Sequence, residues 1–214
     1  MSVPSMFKVP MNLLFSTGLP AAENIIYQAS HENLIKDCLR KNGGALNEEG
    51  IFVTKAGNVN DATSMTVYVV KNAFTGNTIE CNGSSKPIDA TIFLQLYQKI
   101  IDHFDKKQIW IRDAFILDNS GQKVNIRSIN EDPLGNLFVQ NMFCEPSENE
   151  LKNFNPCWYL IHAPGFLSDS AIDDISEKNF FMVNYETKTI LIGGENFTTN
   201  IKHRVLSILT EHSI

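Results

Sequence analysis

Apolar residues recur every three or four positions along several segments of the chain, a spacing typical of amphipathic helices. The clearest segment runs from Asp89 to Phe104. A second runs from His31 to Arg40, and Ser30 suits its N-cap because a serine hydroxyl accepts a backbone N–H. Ser147 and Glu150 have the spacing of a capping box. We predict further helices from Asp132 to Phe143, over a short turn after Ser147, and from about Thr198 to Thr210.

Short runs rich in β-branched and aromatic residues predict strands. These runs cover residues 50–53, 66–70, 109–117, 124–129, 158–162, 179–184 and 189–192. The polar stretches 55–64 and 72–88 predict surface connections, and residues 1–24 predict an irregular lead-in. Because strands and helices mingle without strict alternation, we expect an α/β fold: one domain over residues 25–214 with a mixed β-sheet flanked by helices.

Charge and composition narrow the class of protein. The 214 residues include 24 acidic and 18 basic side chains, which gives a formal net charge of −6. This negative charge argues against nucleic acid and against an anionic membrane as partners. No apolar run reaches the roughly 20 residues of a transmembrane helix, and residues 1–16 lack the apolar core of a signal peptide. We therefore expect a cytoplasmic protein.

Cysteine usage predicts neither disulfides nor a metal centre. The four cysteines are Cys38, Cys81, Cys144 and Cys157. They show no CxxC spacing and no histidine at metal-ligand spacing, so we expect reduced, mostly buried thiols. The two tryptophans, Trp110 and Trp158, are expected in the core.

A set of short motifs follows in order along the second half of the chain. They are Arg112-Asp113-Ala114, Ile126 to Glu131 (IRSINE), Asn141-Met142-Phe143, Pro146-Ser147 with Glu150-Leu151, His162 to Phe166 (HAPGF), and Asn179-Phe180 with Ile190 to Gly194 (ILIGG). Together they resemble the N-terminal domain of ATP-dependent phosphoenolpyruvate carboxykinase, over about Ile26 to Leu209. One tripeptide alone would be weak, whereas this ordered set at near-matching spacings indicates a shared fold.

The resemblance implies a family of enzymes that convert oxaloacetate and ATP to phosphoenolpyruvate, carbon dioxide and ADP with a divalent metal. The active site of this family lies between two domains. The C-terminal domain supplies the phosphate loop, most metal ligands and the nucleotide pocket, whereas the N-terminal domain supplies groups that hold the small anionic substrate.

The sequence departs from the family in the substrate-binding loop. That loop reads TGRSPKD in the family, and the resemblance aligns it with residues 60–66 (NDATSMT). The family's arginine falls on Ala62 and its lysine on Met65. An arginine makes two parallel, charge-assisted hydrogen bonds to a carboxylate, and an alanine cannot replace them.

The second family motif, GGTxYxGExKK, aligns with Gly193 to Arg204. The family's tyrosine falls on Phe197, and the lysine that it uses at its metal falls on His203. A histidine can bind a divalent metal, but one ligand does not make a site. The remnant substrate-site positions are Ala62, Phe197, Lys202, His203 and Arg204. We assign no catalytic and no metal-binding residue.

The phosphate-binding pattern GxxxxGK[ST] does not occur in the sequence, which ends at Ile214. Phosphoryl transfer depends on cations, backbone amides and metal placed around the phosphates. We therefore expect no phosphoryl transfer by this chain alone, and neither ATP nor a metal as cofactor. Glu145 also stands where the family has an arginine, which reverses the charge.

Three polar features are open to two interpretations each. Lys202 to Arg204 form either a remnant anion site at a helix start or a solvated helical face. Arg112-Asp113 is either a site pair or a structural ion pair on a half-buried strand. His162 either lies near a ligand at its strand end or is a structural histidine with satisfied hydrogen bonds. The structural interpretation is preferred in each case.

Three functional hypotheses are compatible with the sequence. The preferred one is a non-catalytic relative of the carboxykinase N-terminal domain, kept as a binding, regulatory or interaction module. The second is part of a split or truncated carboxykinase, and the third is an unrelated small-molecule site on the same fold. We also expect a homo-oligomer or protein partner at the last helix, with Val205 to Leu209 partly uncovered, and a small anionic metabolite as candidate ligand.

Overall fold

The computed structural model describes residues 25–54, 66–71, 85–170, 173, 175–196 and 199–211. The predicted lead-in over 1–24 and the predicted loop over 55–64 lie entirely outside this part. Within it, eight strands form one mixed sheet, and helices pack on both of its faces. The predicted α/β fold with a mixed sheet flanked by helices is therefore confirmed.

Ten strands make up the β-structure of the described residues. They are β1 (Ile25–Tyr27), β2 (Ala45–Leu46), β3 (Phe52–Val53), β4 (Val67–Lys71), β5 (Ser85–Asp89), β6 (Ile109–Leu117), β7 (Lys123–Asn130), β8 (Trp158–Ala163), β9 (Phe180–Asn184) and β10 (Thr189–Gly193). The order in the main sheet is β1-β6-β7-β8-β10-β9-β4-β5. In it β6 and β7 are antiparallel, as are β9 and β10, and all other neighbours are parallel. β2 and β3 pair separately.

The helices begin where local chemistry predicts them. They are α1 (His31–Arg40), α2 (Ala90–His103), α3 (Pro133–Met142), α4 (Glu148–Lys152) and α5 (Thr199–Glu211). The side chains at the N-caps of the first four each accept a backbone N–H: Ser30, Asp89, Asp132 and Ser147. Ser147 and Glu150 form the predicted capping box, which satisfies two backbone donors that a helix start leaves unpaired.

The core has one layer on each face of the sheet. On one face α2 packs Phe93, Leu96 and Ile100 against the strands. On the other face lie α3 and α5, with α1 packed beside Trp110 and Leu137. Both tryptophans are buried, as predicted. None of the helices in the described ranges is long and apolar enough to cross a membrane.

The prediction of a surface connection over 72–88 is wrong for its last residues, because Ser85–Asp89 form β5. This is one of the two outer strands of the sheet, and among the described residues it pairs with β4 alone. It buries Ile88 alone, so it lacks the alternating apolar pattern that marks a strand. Pro87 is tolerated because one side of an outer strand needs no ladder hydrogen bond.

Two burial predictions also fail. Cys38 is buried, but Cys144 and Cys157 are exposed, because both lie in irregular segments at the ends of elements; Cys81 is outside the described residues. The expected partial exposure of Val205 to Leu209 is wrong for most of the apolar residues in this segment. Val205, Ile208 and Leu209 are buried against the sheet, and Leu206 is half-buried, because α5 turns this face towards the core.

Candidate functional site

The two segments that the resemblance assigns to substrate binding end at the same edge of the sheet. Residues 60–66 lead into β4, and Gly193 is the last residue of β10. β4 and β10 run in opposite directions with β9 between them, and the pairs Val67–Phe181 and Phe180–Gly193 align their ends. The ends are therefore two strand spacings apart, about 10 Å. We call this the motif edge; it comprises the starts of β4, β5 and β9 and the ends of β7, β8 and β10.

The remnant positions are only partly placed by the structure. Ala62 and Phe197 lie outside the described residues. Lys202 and His203 are exposed in the first turns of α5, and Arg204 is half-buried, where burial lowers the pKa of its guanidinium. Among the described residues, none of these three side chains pairs with a carboxylate.

Glu177 lies at the motif edge, shortly before β9, and four side chains donate hydrogen bonds to it. Thr66 Oγ1 and Lys86 Nζ lie 3.1 and 3.4 Å from Oε1. Ser176 Oγ lies 2.7 Å from Oε2, to which the Tyr68 hydroxyl also donates. Burial raises the pKa of Glu177, but hydrogen bonds from these four groups outweigh it and lower the pKa to about 2. The carboxylate is therefore charged at neutral pH.

Glu131 places a second carboxylate at the motif edge, directly after β7. One oxygen accepts the backbone N–H of Gly165 over 2.8 Å, and the other lies 2.6 Å from Lys107 Nζ and 2.9 Å from His103 Nε2. Burial raises the pKa of Glu131, but the hydrogen bonds from Lys107 and Gly165 and the nearby positive charge lower it overall. Glu131 therefore ties the loop after β8 to the end of α2.

His162 lies on β8 at the same edge and is buried. Its Nε2 donates to the backbone carbonyl oxygen of Glu195 over 2.8 Å, and the Glu195 carboxylate accepts a hydrogen bond from Asn179 over 3.0 Å. Burial lowers the pKa of His162 despite the negative charge of Asp132 nearby. These contacts favour the structural interpretation, in which a neutral imidazole holds the segment after β10 in place.

The interpretation that Arg112 and Asp113 form an ion pair with each other is wrong, because each has a different partner. Adjacent residues of a strand point to opposite faces, so these two side chains cannot meet. Asp113 instead pairs with Arg127 on β7, its register partner, through two contacts of 2.6 and 2.7 Å. Residues 118–122 connect β6 to β7, and Asp113 and Arg127 lie five residues before and five residues after this connection, which sets their register.

Arg112 lies on the opposite face of β6 and serves a structural role there. It is buried, and its Nε donates to Asn136 Oδ1 over 3.0 Å. Its Nη2 donates to the carbonyl oxygen of Ala29, and its Nη1 lies 3.7 Å from the Glu145 carboxylate. Burial lowers the pKa of this guanidinium. Glu145, which stands where the family has an arginine, supplies a nearby carboxylate that partly compensates the positive charge.

Two further features bear on possible ligands. An open cleft of about 630 Å³ is lined by residues that include Gln28, Phe115 and Glu145. It lies at the opposite edge of the sheet, near the end of β6, and its lining includes none of Lys202, His203 and Arg204. In the described ranges, no three or more histidine, cysteine, aspartate or glutamate side chains are grouped so that they could hold a metal ion. Among these residues, His203 therefore belongs to no such group.

Sequence reasoning missed the main polar contacts of the motif edge. Glu177 lies in a polar stretch between predicted elements, and Lys86 lies in a segment predicted as a connection. Neither position has a periodic signal. Glu131 belongs to the IRSINE motif, but its partners His103 and Lys107 come from α2 and the loop behind it. Only the strand order brings these groups together.

Comparisons with known proteins bear on the same segments. A family profile described as phosphoenolpyruvate carboxykinase matches residues 23–212. Phosphoenolpyruvate carboxykinase (ATP) of Christiangramia forsetii is 31% identical over 183 residues, and that of Amoebophilus asiaticus is 29% identical over 196. The protein of the same name from Flavobacterium johnsoniae is 27% identical over 204 residues. These matches cover 86% to 92% of this chain and 34% to 38% of the relatives.

The profile match spans every strand and helix that the structure describes, from β1 to α5. It includes the motif edge and the buried Asp113–Arg127 pair. The chain covers little more than a third of the length of these relatives, and the match corresponds to their N-terminal part. The chain therefore belongs to the phosphoenolpyruvate carboxykinase family.

Proposed function

We propose that this domain is a non-catalytic member of the carboxykinase family with a binding or regulatory role. One observation carries the proposal: lysines at the motif edge are paired with carboxylates of the same chain. Lys86 pairs with Glu177, and Lys107 pairs with Glu131. The position aligned with the family's substrate arginine holds Ala62.

A small dicarboxylate needs cationic donors whose charge is not already compensated. A lysine that pairs with a glutamate has little attraction left for a second anion, and the glutamate repels that anion directly. Two such pairs at one edge, together with the loss of an arginine fork, remove the electrostatic basis for holding oxaloacetate. Phe197 and His203 at the family's tyrosine and lysine positions support the same conclusion.

A second candidate function rests on the start of α5. Lys202 and Arg204 have no ion-pair partner among the described residues, so they are available to a small anionic metabolite. This favours the alternative in which the chain is part of a split or truncated carboxykinase that converts oxaloacetate and ATP to phosphoenolpyruvate, carbon dioxide and ADP.

Thermal unfolding with candidate ligands separates the two functions. The ligands are oxaloacetate, phosphoenolpyruvate, related dicarboxylates, ATP and Mn²⁺, each compared with sodium chloride at equal ionic strength. Binding at a hundredfold excess over Kd adds about 2.7 kcal/mol to the free energy of unfolding, which is easily detected. The proposal expects no saturable stabilisation. A saturable rise in Tm with oxaloacetate or ATP would instead support the alternative.

A variant with the family residues restored tests whether their replacement explains the expected lack of oxaloacetate binding. Ala62→Arg, Phe197→Tyr and His203→Lys together return the family residues, and we expect a gain of saturable stabilisation by oxaloacetate. The matched control carries Ala62→Gln with the other two changes, which adds length at residue 62 without charge. If the restored variant and the control respond alike, the lost arginine is not what prevents binding.

A homo-oligomer or a protein partner at α5 belongs to the same proposal, as does a cytoplasmic location. The exposed side of α5 carries Lys202, His203 and Ser207, so a partner there would meet a polar surface with positive charge. Light scattering at micromolar concentration tests self-association. A monomeric mass would leave an acidic protein surface as the expected partner class, and cell fractionation tests the location.

A further inference from the structure

Four side-chain donors surround the Glu177 carboxylate, which is the arrangement expected of a site that binds a carboxylate. Each oxygen receives two of them: Oε1 from Thr66 and Lys86, and Oε2 from Tyr68 and Ser176. One donor is an ammonium and three are hydroxyls, so one negative charge meets one positive charge. We call these four side chains the Glu177 cradle.

The sheet, and not Glu177, positions most of the cradle. Tyr68 on β4 and Lys86 on β5 are register partners on adjacent parallel strands. Tyr68 is 5% exposed and belongs to the core layer beneath α2. Thr66 directly precedes β4. The backbone positions of these three residues therefore do not depend on a carboxylate between their side chains.

Hydrogen bonds that do not involve the carboxylate hold the backbone at Glu177, whereas the side chain is partly exposed to solvent. Ser168 Oγ donates to the backbone carbonyl oxygen of Glu177 over 2.6 Å, and the Ser168 N–H donates to that of Lys178 over 3.0 Å. These bonds hold the segment without using the carboxylate. The side chain itself is 37% exposed, so rotation into solvent is not blocked.

We propose that Thr66, Tyr68, Ser176 and Lys86 form a carboxylate-binding site that Glu177 occupies as an internal ligand, and that a small carboxylate takes its place when this side chain is removed or turns outward. Without the carboxylate, the Tyr68 hydroxyl loses its anionic acceptor in a largely buried position, which is costly, and the exposed Lys86 ammonium adds a positive charge that attracts an incoming anion. The site uses none of Ala62, Phe197 or His203. It does not rest on the proposed function, because either a catalytic or a non-catalytic domain can contain it.

Chemical rescue tests the site. The variant Glu177→Ala removes the internal carboxylate, and sodium acetate is the probe, with sodium chloride at equal ionic strength as reference. We expect acetate to raise the Tm of Glu177→Ala saturably, by roughly 3–5 °C near saturation, and to leave the parent protein unchanged relative to chloride. An equal response of Glu177→Ala to acetate and chloride would overturn the proposal.

Two comparison variants make the result specific. Adding Lys86→Met to Glu177→Ala removes the cation of the cradle and should abolish the acetate response. Glu48→Ala removes an exposed carboxylate that has no ion pair among the described residues, and it should behave like the parent protein. An undiminished acetate response in the Lys86→Met double variant would contradict the assignment of the cradle.

Instability of Glu177→Ala does not prevent the test. In that case the variant is refolded from urea in acetate and, separately, in chloride. Higher recovery of folded protein in acetate supports the proposal, whereas equal recovery in both salts contradicts it. Glu177→Gln supplies a further check, because its amide still fills the cradle, and acetate should give it no more stabilisation than chloride.

Discussion

The carboxylate of Asp113 on β6 and the guanidinium of Arg127 on β7 form a two-point ion pair in the core, with contacts of 2.6 and 2.7 Å. The Tyr27 hydroxyl on β1 also donates to Asp113 over 2.6 Å, so the group links three adjacent strands. Burial and the charge of Asp113 raise the pKa of Tyr27, which keeps this hydroxyl a donor. Both charged residues are at most 2% exposed.

Breaking this pair should be more damaging than replacing it. Asp113→Ala leaves the Arg127 charge buried without its partner, and we expect the free energy of unfolding to fall by about 3–5 kcal/mol. Combining Asp113→Leu with Arg127→Met removes both charges at similar volume and should cost clearly less. Urea denaturation measures both. Glu32→Ala, which breaks an exposed pair with Lys36, is the control and should change little. A double variant as unstable as Asp113→Ala would show that the two charges are needed together.

Stability should depend on pH through His162. Burial lowers its pKa in the folded protein below the ordinary value of 6.5. The unfolded chain therefore takes up this proton first, and the contribution of His162 is fully present above pH 6.5 and is lost as the pH falls below it. We expect His162→Asn to flatten the pH dependence of the unfolding free energy between pH 7 and 5.

The matched control for this effect is His203→Asn, because His203 is exposed on α5. It should keep the pH dependence of the parent protein in chemical denaturation at each pH. A profile that stays equally steep in His162→Asn would assign the effect to other groups.

Gly135 in α3 should not tolerate a methyl group. A Cβ at this position would lie 2.6 Å from His162 Nδ1 and 3.1 Å from both Asn130 Oδ1 and Asp132 Oδ1. Replacing glycine by alanine inside a helix normally stabilises it by about 1 kcal/mol. Here overpacking should outweigh that gain, and we expect Gly135→Ala to destabilise the protein by roughly 1–3 kcal/mol.

Thermal unfolding of Gly43→Ala provides the comparison, because the added Cβ would meet its nearest atom at an ordinary 3.5 Å. Combining Gly135→Ala with His162→Ala should cost less than the two single changes added together, since the clash disappears with the ring. If the two destabilisations add exactly, the cost of Gly135→Ala does not come from a clash with the His162 ring.

Glu131 should control the order of the loop after β8. Its carboxylate accepts the Gly165 N–H and is paired with Lys107, so Glu131→Ala removes the partner of both. We expect a loss of about 1–3 kcal/mol and faster hydrogen exchange at the Gly165 amide. Glu148→Ala, at an exposed position of α4, is the control. Unchanged exchange at Gly165 would mean that other contacts order this loop.

Because the pKa of Glu131 is lowered on folding, its contribution to the free energy of unfolding is present above pH 4.5 and is lost as the pH falls below that value.

Much of the fold is predictable from local pattern. The first helix was predicted over His31 to Arg40 and the longest strand over Ile109 to Leu117, and both have these bounds in the structure. Capping residues and alternating apolar positions act over a few neighbours, so the sequence alone carries them. The outer strand β5 escaped prediction because it buries one residue, and β1 because it has only three.

The candidate site was predictable only where a motif could be aligned. Ala62, Phe197 and His203 replace residues of a known pattern, so the sequence alone identifies them as altered positions. Glu177 and Lys86 are 91 residues apart in the chain and belong to no motif. Their contact exists because β5 and the segment before β9 lie at the same edge of the sheet.

The sequence by itself determined the family, the helix starts, most strands and the loss of the substrate arginine, because each depends on residue identity over a short span. Only the tertiary structure decided which charges are partners. Strand order and register paired Asp113 with Arg127 instead of Arg112, and placed Glu177 between Tyr68 and Lys86. Such pairings join residues far apart in the chain, and they follow from the packing of the whole sheet.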